Sequence, residues 1–201
     1  MAELLTHRTF VLLLLAAACS SSPRAPSPDQ PAPIPPDLTG SRVIVLPAQA
    51  AAGGRVGGEP VPGLDAEIAY WLADMGPRVT WVLPPQIQRA LERSPSLDIK
   101  LDALAVSSFH RAEVVIIGDP LFGDLRALNA LLNARYALLP VAAGYVTRPA
   151  GPGRVEINIA LIDTVGGRVL WFAAVAGDPG AESSPAVVAS AARALARAVL
   201  P

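Results

Sequence analysis

Few residues in this sequence are suited to acid–base or metal chemistry. His110 lies three residues before Glu113, and Asp98 and Asp102 precede it along the chain. A histidine beside a carboxylate can transfer protons or bind a metal ion, so this group is the first candidate for a reactive site. The only other histidine is His7, and a half-exposed structural histidine is the simpler interpretation of His110. We therefore predict no catalytic residue, no metal ligand and no cofactor.

Two further motifs lack the spacing that their chemistry requires. Ser107 and Ser108 do not stand in a Gly-x-Ser-x-Gly turn, so a serine hydrolase is not expected. The run Gly53–Gly58 follows a predicted strand and precedes a predicted helix, where a phosphate-binding loop would lie. It has no following Gly-Lys-Ser/Thr and does not match Gly-x-Gly-x-x-Gly, so it predicts a flexible surface loop.

The single cysteine, Cys19, lies where a chemical modification is expected. Thr9–Ala18 is an apolar run of ten residues. It is too short for a membrane helix, which needs about 20, but it suits the core of a signal peptide. The small residues Ala16–Ala18 then lead directly to the cysteine. This pattern resembles the bacterial lipobox, in which the cysteine thiol receives a diacylglycerol before cleavage. The alternative is an ordinary secretory signal with an unmodified cysteine.

Lipidation would determine where the protein resides. The resemblance implies a signal peptide over residues 1–18 and a lipidated Cys19 carrying fatty acyl chains such as palmitate. Two or three such chains anchor a protein stably, whereas one is marginal. In proteobacterial lipoproteins an Asp after the cysteine favours the inner membrane. Ser20 at that position therefore favours the outer membrane, with the protein facing the periplasm.

A proline-rich segment separates this cysteine from the rest of the chain. Ser20–Pro36 contains seven prolines and few residues that a core would bury. Such a segment stays extended and solvated, with a reach of about 50 Å. We predict a lipidated tether over residues 19–39 and one globular domain over residues 40–201.

The domain pattern alternates strands and helices and then ends in a hairpin and a helix. Strands are predicted at Arg42–Leu46, Arg78–Leu83, Glu113–Gly118 (buried), Tyr136–Val146, Val155–Ile162 and Val169–Ala176. Helices are predicted at Leu64–Met75, from Pro84 to about Arg93, after Asp119-Pro120, and from Pro185, with Ser184 as the cap. Leu97–Arg111 is ambiguous and weakly helical. The order favours an α/β (α+β) fold with a single mixed sheet of about five to six strands and packed helices.

A few side chains within these elements have predicted structural roles. Asp163 stands just before the Gly166-Gly167 hairpin turn, where an aspartate can accept hydrogen bonds from nearby backbone N–H groups. Asp119 is predicted to cap a helix. The three tryptophans lie on apolar patterns and are predicted to pack in the core, with a partner-binding aromatic patch as the alternative. They are Trp71, Trp81 and Trp171.

Composition excludes several classes of protein. The formal net charge is −1 and only one lysine is present, so the chain lacks the basic footprint of a nucleic-acid-binding protein. With one cysteine, a disulfide within the chain is impossible.

Three stretches carry a resemblance to a known family. Arg42–Pro47 looks like its first strand, and Leu64–Leu83 with the following Pro84 helix looks like its next units. Ile159–Trp171 looks like its hairpin, which often reads as an apolar strand, Asp-Thr, a glycine turn and a strand ending in Trp. The sequence thus resembles the envelope domain of the curli-secretion (CsgG-like) lipoprotein, the TolB amino-terminal domain and the lipoprotein activators of penicillin-binding proteins.

This resemblance implies a domain that binds protein partners and contributes no catalytic residue. We therefore expect a non-enzymatic, membrane-anchored periplasmic lipoprotein of the cell envelope that acts in protein binding or as a scaffold. Its partners would be the membrane, through the lipid, and an envelope protein or further copies of itself. Two alternatives remain open. One is a small periplasmic hydrolase with a site around His110, and the other is a ligand-binding lipoprotein with Gly53–Gly58 as a lid.

Overall fold

The structure is a computed structural model that describes residues 27–29, 33–49, 61–110, 114–149, 151–182 and 184–200. The strands are β1 (Arg42–Val45), β2 (Thr80–Val82), β3 (Tyr136–Val146), β4 (Arg154–Asp163) and β5 (Arg168–Ala176). The helices are α1 (Leu64–Met75), α2 (Pro84–Glu92), α3 (Leu121–Leu132) and α4 (Pro185–Val199), and a short 3₁₀ helix covers Ser107–His110. No helix among these residues is long and apolar enough to cross a membrane.

One mixed sheet organises the domain, which confirms the predicted α+β fold. Its strand order is β2-β1-β3-β4-β5. β1 pairs in parallel with both β2 and β3, whereas β3, β4 and β5 form an antiparallel meander. α4 follows the final hairpin, as predicted.

Helices cover both faces of the sheet because the central strands are apolar on both sides. On one face α1 and α4 pack on side chains such as Val43, Ile159 and Trp171. On the other face α2 and α3 pack on side chains such as Ile44 and Ile162. Burial on both faces explains why β3 reads as a nearly continuous apolar run. In β4 the first half alternates, with Glu156 and Asn158 between apolar residues, and only the second half is continuously apolar.

The ends of α1 and α3 follow local sequence signals. Gly76 closes α1, and its N–H donates to the carbonyl oxygen of Leu72 at 2.9 Å. At the start of α3, Asp119 Oδ1 accepts the N–H of Gly123 at 3.1 Å, which confirms its predicted capping role. Ser184 occupies the N-cap position of α4 as predicted, but its side chain makes no capping hydrogen bond.

Pro140 lies within β3, at a position where a proline needs special accommodation. The pairing of β3 with β4 shifts register between Pro140 and Ala142. A β-bulge is one of the few places in a sheet that tolerates a residue without an N–H. The strand therefore continues past the proline to Val146.

The prediction of a buried strand over Glu113–Gly118 is wrong. Glu113 lies outside the described residues, and Val115 and Ile116 are exposed. Only an isolated antiparallel bridge joins Ile116 to Arg168 at the start of β5. The segment lies beside β5, the last strand of the sheet, rather than inside the sheet. Among its described residues, 114–118, only Ile117 is buried in the core. A short apolar run looks the same in sequence whether it forms a strand inside the sheet or lies beyond the edge strand.

The ambiguous segment Leu97–Arg111 is irregular apart from its 3₁₀ helix, and Arg111 lies outside the described residues. It nevertheless buries Leu101, Leu104, Val106 and Phe109. One buried side chain, Gln49, holds this segment. Its Nε2 donates to the carbonyl oxygen of Leu101 at 2.8 Å, and its Oε1 accepts the N–H of Leu104 at 2.9 Å.

Candidate binding surface

The residues predicted to mark a chemical site are not brought together among the described residues. Cys19, Glu113 and the loop Gly53–Gly58 lie outside the described residues. His110 is the last residue of the 3₁₀ helix, and the carboxylates that precede it, Asp98 and Asp102, are exposed. Within the described ranges no three His, Cys, Asp or Glu side chains are grouped so that they could hold a metal ion.

Three cavities have linings that the structure describes. One of about 330 Å³ lies between Asp37–Thr39 and the end of α1. A second, of about 470 Å³, lies between the start of α2 and Ile99–Asp102. A third, of about 260 Å³, lies between the starts of α1 and α4. Each lining contains only two charged side chains, and in no case do they form a cluster suited to catalysis.

The turn between β4 and β5 is built around Asp163, which confirms its predicted role in the turn. Asp163 Oδ1 accepts the N–H of Val165 at 3.0 Å. Its Oδ2 accepts from Arg135 Nη2 at 2.7 Å and from Arg135 Nε at 3.1 Å. The hydrogen bonds from Arg135 are the main reason that the pKa of Asp163 lies below its ordinary value. The sequence reasoning missed this ion pair, because 28 residues separate its two members.

The hairpin is also tied to the chain before β3. The N–H and the hydroxyl of Thr164 both donate to the carbonyl oxygen of Arg135, at 2.9 and 2.8 Å. The Arg135 guanidinium carbon lies 5.6 Å from the centroid of the Tyr136 ring. These contacts hold the turn in one position relative to the sheet.

Four large apolar side chains are exposed on this hairpin and on the segment beside it. Val115 is 61% exposed, Ile116 64%, Val165 60% and Leu170 37%. We call these four residues the hairpin-edge surface. Isolated exposed apolar residues are common in proteins, and a group on adjoining segments is a candidate binding surface.

Backbone pairing places Val115 and Ile116 next to β5. The N–H of Ile117 donates to the carbonyl oxygen of Gly167 at 2.8 Å, and the N–H of Val169 donates to that of Val115 at 2.9 Å. Ile117 is buried in the core and anchors the segment. Its neighbours Val115 and Ile116 are thereby held beside the start of β5, at the edge of the sheet.

The tryptophans pack mainly in the core rather than forming a binding patch. Trp171 is buried, which confirms its prediction, and Trp71 and Trp81 are half-buried against the same cluster. Arg193 lies over the Trp71 ring at 5.5 Å, and Tyr70 meets that ring edge-on at 5.2 Å. Tyr70, which the sequence analysis did not single out, is the exposed aromatic residue of α1.

Comparisons with known proteins find structural likeness only. No family model and no curated protein sequence matches the chain. The PelC dodecamer from Paraburkholderia phytofirmans is 18% identical over 86% of this chain and 96% of that chain, with a TM-score of 0.39. The LpoB C-terminal domain from Escherichia coli is 14% identical over 71% of this chain and 85% of that chain, with a TM-score of 0.42. Lipoprotein GNA1162 from Neisseria meningitidis is 13% identical over 72% and 84%, with a TM-score of 0.41. Likenesses at this level assign neither a family nor a function.

Proposed function

We propose that this protein is a lipid-anchored, non-catalytic lipoprotein of the bacterial cell envelope that binds another envelope protein. The observation that carries the proposal is the hairpin-edge surface, where Val115, Ile116, Val165 and Leu170 leave apolar area in water. Covering such area with a partner is favourable, because it removes apolar surface from water.

The shape of this surface favours an extended partner segment. Val115–Ile117 already runs antiparallel to the start of β5 and forms hydrogen bonds with it. A further strand added beside such an edge would gain backbone hydrogen bonds, and alternate apolar side chains of the partner would contact Ile116 and Leu170. We therefore propose an extended segment of a periplasmic or outer-membrane protein as the occupant.

The anchor is proposed from the sequence around Cys19. A thiol carrying two or three acyl chains would hold the domain at the outer membrane, facing the periplasm. The hairpin-edge surface would then meet partners near that membrane.

Fractionation of cells tests the anchor. In Cys19→Ala the protein should move from the membrane fraction to the soluble fraction, or accumulate with its leader uncleaved. Ser22→Ala, three residues further on, is the matched control and should stay in the membrane. Mass spectrometry of the wild-type protein should show an acylated sulfur, and an unmodified thiol would contradict the proposed anchor.

Crosslinking in intact cells tests the binding surface. A photoreactive residue at Ile116 should form adducts with one specific protein, whereas the same residue at Glu92, exposed on α2, should not. Adducts with a second copy of the chain would show self-assembly through this surface. Recovery of lipid alone, or the same adducts from both positions, would refute a protein-binding role for this edge.

A further inference from the structure

The proline-rich segment before β1 is not free of the domain along its whole length. We define the strap as residues 27–29 and 33–38, the parts of this segment that the structure describes before Thr39. Pro35 is buried, and Leu38 is buried in the core cluster that α1 and α4 form with the sheet. The strap therefore has apolar attachments at its domain end.

A hydrogen bond joins the strap to the edge strand of the sheet. The buried Trp171, in β5, donates its indole Nε1–H to the carbonyl oxygen of Pro33 at 2.7 Å. Proline keeps its carbonyl oxygen and can accept this hydrogen bond. It has no N–H to donate, so the strap does not extend the sheet as a further strand.

A charged contact lies at the other end of the strap. Arg154, at the start of β4, is largely buried, and its Nε donates to the buried Glu156 at 2.8 Å. Its Nη2 also donates to Asp29 Oδ1 at 3.1 Å, across 125 residues of sequence. Asp29 is exposed, and exposed ion pairs contribute little stability, so this contact can break readily.

We infer that the strap is a releasable part of the domain, and that its docking sets how far the domain stands from the membrane. The inference rests on the proposed anchor at Cys19. With the strap docked, only eight positions of sequence separate Cys19 from residue 27, the first residue of the strap. Release as far as Leu38 adds about 30 Å of extended proline-rich chain and exposes the Trp171 indole.

Exchange of the indole protons with solvent tests the docking in the full-length protein in detergent. Replacement of residues 27–36 by an equal length of Gly and Ser should accelerate exchange at Trp171 about tenfold or more. Trp81, whose Nε1 donates to the carbonyl oxygen of Gly76 at 3.1 Å, is the internal control and should not change. An unchanged rate at Trp171 would overturn the inference.

If the Gly/Ser replacement perturbs the whole fold, exchange of the Trp81 indole proton will also accelerate. A milder variant then provides the test. Asp29→Asn removes the exposed charge opposite Arg154 and should accelerate exchange at Trp171 by a smaller factor. Glu92→Gln, the same kind of change at an exposed carboxylate on α2, should have no effect. Where the replacement does perturb the fold, equal exchange rates at Trp171 in Asp29→Asn and wild type would overturn the inference.

Neutron reflectometry on a supported bilayer tests the consequence for reach. The Gly/Ser protein should place its domain farther from the bilayer, by up to about 17 Å, because ten Gly/Ser residues form a flexible coil that spans less than the same length of extended proline-rich chain. A protein layer at the same height in both proteins would refute release as a control of distance. Failure of either protein to form a layer would instead refute the anchor, so the two proposals can fail separately.

Discussion

At the scale of single residues, the Arg135–Asp163 pair ties the hairpin turn to the residue before β3. Asp163 accepts hydrogen bonds both from the turn that follows it and from a side chain that precedes β3. The carboxylate thus reinforces the end of the β3–β4 ladder, where Tyr136 pairs with Asp163. The geometry of the hairpin-edge surface depends on this junction, because Val165 lies two residues beyond the carboxylate.

Asp163→Asn should lower stability in a pH-dependent way. The pKa of Asp163 is lowered in the folded state, first by the hydrogen bonds from Arg135. Its stabilising contribution is therefore fully present above the unfolded-state pKa of about 3.9, and it is lost as pH falls through the lower folded-state pKa. Urea unfolding should show the variant less stable than wild type at pH 7, with the difference shrinking below about pH 4. A constant difference across this range would contradict the ion pair.

Gln49→Ala should strongly destabilise the fold, although Gln49 lies outside the helices and strands. The change removes the hydrogen bonds to the Leu101 carbonyl oxygen and the Leu104 N–H, two backbone groups of buried leucines, and leaves both without this partner. We expect a loss of about 2–4 kcal/mol in the free energy of unfolding, measured by urea titration. Gln88→Ala, on the exposed face of α2, is the control and should change it by less than about 0.5 kcal/mol. Equal effects would show that Gln49 is not a structural tie.

At the scale of elements, the two glycines of the hairpin turn have different roles. Gly167 has a φ of +67°, and a Cβ there would lie 3.0 Å from Phe122 Cδ2 and 3.3 Å from Ile117 Cγ1. Gly166 has open space around it and no positive φ. The turn therefore requires glycine for backbone conformation and for close packing at only one of the two positions.

Substitution of each glycine by alanine should separate these roles. Gly167→Ala should cost about 1–2 kcal/mol, because alanine disfavours the left-handed conformation and its Cβ crowds Ile117. Gly166→Ala should remain within about 0.5 kcal/mol of wild type. Thermal and urea unfolding of both variants measure the difference, and similar losses in the two would argue against this geometry of the turn.

At the scale of the whole molecule, the two core layers share one sheet and should unfold together. Leu125 of α3 lies in one layer and Leu195 of α4 in the other, and both side chains are fully buried. Each change to alanine should cost about 2–5 kcal/mol. All three tryptophans pack on the layer that α1 and α4 cover, so their fluorescence reports that layer.

Leu125→Ala is therefore the informative variant. Its cavity lies in the layer without tryptophan, yet tryptophan fluorescence and far-UV circular dichroism should shift to the same lower denaturant midpoint. Leu195→Ala serves as the matched variant in the other layer. If Leu125→Ala moved the circular dichroism transition and left the fluorescence transition in place, the layers would be independent units.

The amino-acid sequence alone determined most of the elements, because their signals are local. The apolar spacing and Gly76 set α1 at Leu64–Met75, a long apolar run sets β3, and alternating apolar residues set β4. The expectation that Cys19 carries a lipid also comes from sequence alone. It depends on a short run of neighbouring residues rather than on the fold.

The tertiary structure decided which apolar and polar groups are covered. Val115 and Ile116 read as a buried strand, but they lie outside β5 because the interior positions of the sheet belong to other strands. The partners of Gln49, Arg135 and Trp171 likewise lie tens of residues away or more. Contacts of this kind leave no periodic trace in the sequence, since they depend on where distant segments meet after folding.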